Sequence, residues 1–193
     1  MLSSDLIAFG LVMLCWCAFA AGFLLRRRPA QAQERKRDPS SRLGIALQAV
    51  SYALVWAVPR AFRPLVAAHA WVNAALLALA VLTAAGSVWL TAWALRTLGR
   101  EWSLTARLVE GHRLVTTGPY ALVRHPIYTG MAGLLLATGL TYSRPSALVL
   151  ALVVFWAGTL VRVRSEEGLL RAAFGAEYDA YARHVPAVLP WLY

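Results

Sequence analysis

The sequence predicts an all-α integral membrane protein of about five transmembrane helices, with a polar loop before the fourth and an amphipathic helix at the C-terminus. Three observations carry this. Of 193 residues, 60% are hydrophobic and only 15% charged, where a soluble domain carries about 25% charged residues. Apolar runs recur along the chain at lengths that suit a bilayer. The basic residues sort to one side of those runs. The length fits one domain, 1–193. Its three N-terminal spans occupy 1–98, and the loop, a helical hairpin and the terminal helix occupy 99–193.

The first span, 6–25, is twenty residues without a charge, about 30 Å as a helix. A cleaved signal peptide would have a basic leader and a small-residue cleavage site. Here neither is found and RRR follows the run, so a retained span is expected. Cys15 and Cys17 are two apart, on different helix faces, and read as apolar filler. RRRPAQAQERKRDPSSR (26–42) reads as a polar linker. The second span, 43–58, is expected to end or kink at Pro59. The third, 70–95, is expected to stop at Gly99 as a C-cap. A long polar segment, 99–125, follows, with β-prone RLVTT between turn signals at Glu110-Gly111 and Gly118-Pro119. A loop of that length between packed helices points to function. The fourth and fifth spans, 127–142 and 147–161, are joined by YSRPS as a tight hairpin, with Ser143 a capping residue and Pro145 in the first turn. Beyond them Leu170, Phe174, Tyr178, Tyr181 and Val185 recur every three or four residues, one face of a single amphipathic helix.

Sixteen of the nineteen Lys and Arg fall in 26–42, 96–124 and after 161; Arg60, Arg63 and Arg144 fall on the other side. The positive-inside rule then puts the N-terminus outside and the loop and tail of this multi-pass protein in the cytoplasm, and the short chain and basic composition suggest a prokaryotic inner membrane. The net charge of +10 matches a surface facing anionic lipid and calls for no nucleic acid. There is no dinucleotide or phosphate-loop glycine pattern and no nucleophile elbow. The four histidines have no metal-ligand spacing, so no metal is expected.

Polar residues gather where the hairpin opens. His125 starts the fourth span and Arg162 ends the fifth, so the hairpin brings them together. Arg162 and Glu166 share a helix face, and Glu167 follows. Such a cluster suits a zwitterionic or nucleotide-like ligand. The plainer readings are head-group anchoring by Arg124 and His125, an aromatic belt of Tyr120 and Tyr128, and a routine Arg162–Glu166 salt bridge.

EGHRLVTTGPYALVRHPIYTG followed by RSEEGLLRAAFGAEYDAYARHVPAVLPWL resembles the isoprenylcysteine carboxyl methyltransferase family of integral-membrane enzymes. The likeness runs from about Trp102 to the C-terminus. It implies S-adenosyl-L-methionine as methyl donor, leaving S-adenosyl-L-homocysteine. By the same resemblance His112, Arg113, Leu114 and Val115 form a first cofactor strand, and Gly118 and Tyr120 pack on the cofactor. His125, Pro126, Ile127 and Tyr128 line it, and Glu166 hydrogen-bonds it. Arg162 faces the acceptor carboxylate, with Glu167 the adjacent acid in the catalytic group.

These residue types suit methyl transfer. A carboxylate is ionised near neutral pH and needs no strong base. It needs alignment, exclusion of water and a bidentate cation. Pro126 suits a helix start and would leave the first-turn donors free. The expected acceptor is a lipidated or lipophilic small-molecule carboxylate; a thiol, an amine or a phospholipid is the alternative. The rival readings are a sterol-reductase-like NADPH enzyme and a membrane scaffold or sensor. The sequence does not speak to oligomeric state.

Overall fold

In the computed structural model, residues 4–25, 34–38, 40–66, 69–99, 107–109 and 113–189 are described. Five helices form the bundle: α1 (Ser4–Leu24), α2 (Ser41–Ala57), α3 (Ala70–Leu98), α4 (Pro126–Tyr142) and α5 (Pro145–Phe174). A short α6 (Ala176–His184) follows. Helices α1, α3 and α5 are long and apolar enough to cross a membrane, the helix content of an integral membrane protein. Helices α2 and α4 have 17 residues each, about 25 Å, shorter than the ~30 Å hydrocarbon core.

Helix α4 is the centre of the bundle. Val12, Ala80, Ala84, Leu134 and Ala137 close the seam between α1, α3 and α4. Val55, Leu135, Leu148, Ala151 and Phe155 close the one between α2, α4 and α5. The outward faces keep exposed Leu, Val and Trp, as expected where the surrounding solvent is apolar.

Several boundaries fall where the chain chemistry puts them. Helix α2 stops at Ala57, and Pro59 forms a bridge with Ser143. Helix α3 ends on Gly99, which takes φ +57. Pro145 is the first residue of α5, although Arg144 is its N-cap while Ser143 caps the end of α4. The expected single tail helix is two helices. Arg162 to Phe174 prolong α5 to 30 residues, about 45 Å, so its charged end must project beyond an apolar core. The break is Gly175, at φ +52, a conformation that L side chains avoid. Tyr178 and Tyr181 therefore sit on α6, apart from Leu170 and Phe174.

An antiparallel ribbon was not legible in the sequence. Strand β1 (Glu34–Arg37) lies inside the basic linker and pairs with β2 (Arg107–Val109). The expected strand fares differently: residues 113–116 are described and carry no ladder.

At the end of the bundle away from β2, Arg60 is not a flanking surface charge. It is 9% exposed and pairs with Asp5 at 3.2 Å. It also donates to the carbonyls of Arg63, Leu140 and Ser143. Asn73 donates to Asp5 at 3.4 Å and accepts from the Leu65 amide at 2.9 Å. Phe9, Trp56, Phe62 and Tyr142 pack around this network.

Candidate active site

At the opposite end a strap of chain crosses the start of α4. The amides of Arg124 and His125 donate to the carbonyls of Pro186 and Ala187, each at 2.8 Å. The Thr129 hydroxyl donates to the Val188 carbonyl. Pro126 opens α4, as its fixed φ and missing N–H favour. Of the donors in the first turns of α4, the amides of Tyr128 and Thr129 turn back to the His125 carbonyl.

This strap presents Arg124, His125 and Tyr128 to the prolonged end of α5. Glu166 and Glu167 are about 100° apart around that helix, so each meets different partners. Glu166 accepts from the Tyr128 hydroxyl and from the Arg162 guanidinium at 3.2 Å. Its other oxygen is 3.4 Å from His125 Nδ1. Glu167 accepts from Arg124 Nε at 2.9 Å and lies 3.3 Å from His125 Nε2. His125 is the hinge of the cluster, clamped between both carboxylates. Its ring stacks on Tyr128 at 5.6 Å, and the Arg162 guanidinium sits over the same ring at 5.0 Å.

Burial of His125 works against the charged imidazolium. The hydrogen bonds and charges of Glu166 and Glu167 outweigh it and hold its pKa above the ordinary 6.5. With His125 charged, three cations face two carboxylates, an excess of one positive charge. Most of the cluster is closed to water. His125 is 7% exposed and Arg162 6%, whereas 24% of the Glu166 side chain is open.

The structure brings together five of the residues singled out in the sequence: His125, Tyr128, Arg162, Glu166 and Glu167. Arg162–Glu166 is the i,i+4 salt bridge of the plainer reading, here joined to a larger network. Ile127 is half-buried beside the cluster. Gly118 and Tyr120 belong to a 3-10 turn, Gly118–Ala121, that packs on neighbouring helices. Gly118 takes φ +61, and a Cβ there would lie 3.0 Å from the Thr97 hydroxyl. Tyr120 is buried, and its carbonyl accepts from the Tyr181 hydroxyl of α6 at 2.6 Å. Arg113 is exposed and Leu114 and Val115 are half-buried; His112 lies outside the described residues.

Arg124 is the member that sequence reasoning assigned to lipid head groups. It pairs with Glu167 and donates to the Ala182 and Val185 carbonyls, closing the C-terminus of α6. The signal was the acidic doublet itself. Two successive carboxylates point to different sides of one helix, and the Arg124-His125 pair offers a cation to each.

An apolar groove of about 400 Å³ lies among α3, α4 and α5, and one of its lining residues, Thr129, adjoins Tyr128 of the cluster. Gly130 and Gly133 of α4, Ser87 and Leu90 of α3, Trp156 of α5 and Leu189 are among its lining residues.

The sequence pattern of the phospholipid methyltransferase family matches residues 75–177, from the start of α3 to the first turn of α6. Protein-S-isoprenylcysteine O-methyltransferase B of Arabidopsis thaliana is 34% identical over 101 residues, 51% of this chain and 51% of that protein. Protein-S-isoprenylcysteine O-methyltransferase of Saccharomyces cerevisiae is 34% identical over 101 residues, 51% of this chain and 42% of that protein. The nickel-cobalt-cadmium resistance protein NccN of Alcaligenes xylosoxydans xylosoxydans is 36% identical over 126 residues, 63% of this chain and 53% of that protein. The chain thus spans about half the length of the curated relatives it matches.

Proposed function

Because the chain belongs to the phospholipid methyltransferase family, we propose that it transfers a methyl group from S-adenosyl-L-methionine to a lipophilic acceptor, and that the accepting group is a carboxylate of the isoprenylcysteine type. The observation that carries this reading is a buried cluster of Arg124, His125 and Arg162 with Glu166 and Glu167, beside which Thr129, the neighbour of Tyr128, lines an apolar groove. A water-soluble donor and a lipid-soluble acceptor can meet only at such a place.

The donor set fits the cofactor. A carboxylate offers about four lone-pair positions. Tyr128, Arg162 and His125 address Glu166, which leaves room for one more donor on its exposed side. Glu166 would hold a ribose hydroxyl or the amino group of the cofactor. Gly118, Tyr120, His125, Pro126, Ile127, Tyr128 and the segment 112–115 would line the pocket. When bound, S-adenosylmethionine supplies an electrophilic sulfonium methyl. The chain's own residues supply orientation, charge and dryness. Arg162 holds the acceptor carboxylate in its planar fork and aims one oxygen at the methyl group. No proton has to move, since the carboxylate is already ionised. His125 keeps its proton between Glu166 and Glu167 and adds positive potential for the anionic acceptor. Glu167 and Arg124 hold His125 and the end of α6 in place. The groove takes the apolar tail of the acceptor.

In this reading α2 and α4 complete five spans, residues 1–193 act as one membrane unit and the cluster faces the cytoplasm. A phospholipid amine as acceptor has the family's description in its favour, against a cluster whose two carboxylates are already paired with cations; an NADPH-dependent reduction and a membrane scaffold or sensor are the other rivals. Calorimetry with S-adenosylhomocysteine and with NADPH separates the methyltransferase from the reductase and the scaffold, whichever acceptor is used. Saturable binding of the first and none of the second is expected. Binding of NADPH alone would end the methyltransferase reading.

A further inference from the structure

Helix α2 lies outside the span matched by the family pattern, and nothing so far gives it a part in the chemistry. Its buried stripe is Ser41, Gly44, Gln48, Ser51 and Val55, a run of mostly small and polar residues that faces α5. The contact is closest at two glycines. A Cβ on Gly44 would lie 2.4 Å from Arg162 Cγ and 2.7 Å from the Gly158 carbonyl oxygen. A Cβ on Gly158 would lie 2.8 Å from Leu47 Cβ and 2.9 Å from the Gly44 carbonyl. One turn along, Gln48 Nε2 donates to the Thr159 hydroxyl at 3.0 Å, fully buried. That bond fixes the register of α2 on α5. The two backbones therefore touch at the turn from which the Arg162 side chain leaves its helix.

We infer that Gly44 of α2 is a positioning residue for Arg162: its bare Cα leaves the space in which the Arg162 stem passes between the helices and brings its guanidinium onto Glu166 and the Tyr128 ring. Any side chain at 44 displaces the base of Arg162 or separates the helices. Cγ is held close to the backbone and cannot swing aside as the tip of a long side chain could. The N-terminal half of the chain thus sets the geometry of a residue in the C-terminal half. This rests on the role given to Arg162 above, so the test includes measurements that do not depend on turnover.

The experiment compares the full-length wild type with Gly44→Ala, Arg162→Ala and the double variant. Leu43→Ala, at an exposed position of the same helix, is the control. Turnover with a lipophilic carboxylate, S-adenosylhomocysteine affinity, thermal unfolding and the titration of His125 are measured in each. Gly44→Ala is expected to mimic Arg162→Ala. Turnover should fall about 10²-fold while cofactor affinity stays within about threefold, since orientation is lost at the reacting atom. The His125 midpoint should rise in both, because Glu166 loses a competing cation and Tyr128, Arg124 and Glu167 are unchanged. In the double variant the Arg162 stem is gone, so adding Gly44→Ala to Arg162→Ala should cost no further turnover, a non-additive pair, while the contact with the Gly158 carbonyl persists and lowers the unfolding temperature alone. If Gly44→Ala alone fails to fold and the double variant folds, the inference is supported. It is overturned by wild-type turnover and titration in Gly44→Ala, by additive losses of turnover, or by a double variant that also fails to fold. A wild type that binds no S-adenosylhomocysteine would end the methyltransferase reading and leave the unfolding and titration comparisons to decide the seat of Arg162.

Discussion

Replacing Glu166 with Gln changes one charge at nearly constant shape, and its first effect should be on His125. Glu166 Oε2 is 3.4 Å from His125 Nδ1. Two opposite unit charges at that distance attract by about 5 kcal/mol at an effective dielectric of 20. Partial exposure of Glu166 and competition from Arg162 reduce this. A quarter of it, about 1.2 kcal/mol, still moves a pKa by about one unit. The sign is fixed by the cluster. Burial opposes the imidazolium, and the two carboxylates raise the His125 pKa above 6.5 in spite of it. Without Glu166 only Glu167 remains to do so, and the pKa must fall. A group whose folded pKa is raised adds stability below its unfolded value and loses it as pH climbs through the folded value. Wild-type stability should therefore decline as pH rises above 6.5 through the His125 midpoint, and Glu166→Gln should flatten that decline. Histidine-labelled NMR in detergent can follow the transition, since the chain has only four histidines. Thermal unfolding across the same pH range supplies the second reading. An unchanged or raised His125 midpoint in folded Glu166→Gln would refute the clamp.

Glu166→Ala should weaken S-adenosylhomocysteine binding at least about tenfold, the worth of one charged hydrogen bond; an unchanged dissociation constant by calorimetry would move the role to Glu167. Arg162→Lys should keep cofactor affinity yet lose about 10²-fold in turnover, because an ammonium cannot reproduce the fork. Full activity of that variant would reduce Arg162 to an anchor. Asp5→Asn leaves Arg60 buried and unbalanced, and a loss of about 3–5 kcal/mol in unfolding stability is expected. Cofactor affinity should hold, because Asp5 is at the far end of the bundle. In a background without Cys15 and Cys17, an impermeant maleimide added to intact cells should label Ala61→Cys and spare Leu122→Cys. The reverse pattern would invert the topology.

Helix existence was legible because lipid-facing helices are apolar all round and their ends carry Pro, Gly or Arg. Pro59, Gly99 and Pro145 mark boundaries that local backbone chemistry enforces, so they could be read in isolation. Gly175 could have been read the same way, but the apolar spacing of Leu170 to Val185 ran straight through it. Periodicity records which residues seek burial, and it does not record a change of helix axis. Arg60 misled for a related reason. A charge near the end of a span reads as exposed unless its partner is known, and Asp5 is 55 residues away. The ribbon of β1 and β2 joins two basic segments with no alternating pattern, so no local signal existed. At the site, the hairpin made the meeting of His125 with Arg162 predictable. The division of labour between Glu166 and Glu167 required the strap at 185–189, whose backbone hydrogen bonds leave no trace in side-chain pattern.

The most direct measurement follows tritium from methyl-labelled S-adenosylmethionine into a lipophilic isoprenylcysteine-type carboxylate, with purified protein in lipid. A base-labile product that releases volatile methanol is expected from the wild type, and a loss of about 10²-fold from Arg162→Ala. A base-stable methylated product would contradict transfer to a carboxylate and point to an amine or thiol acceptor. The absence of any transfer by protein that binds S-adenosylhomocysteine, across carboxylate, amine and thiol acceptors, would contradict the catalytic reading of the cluster.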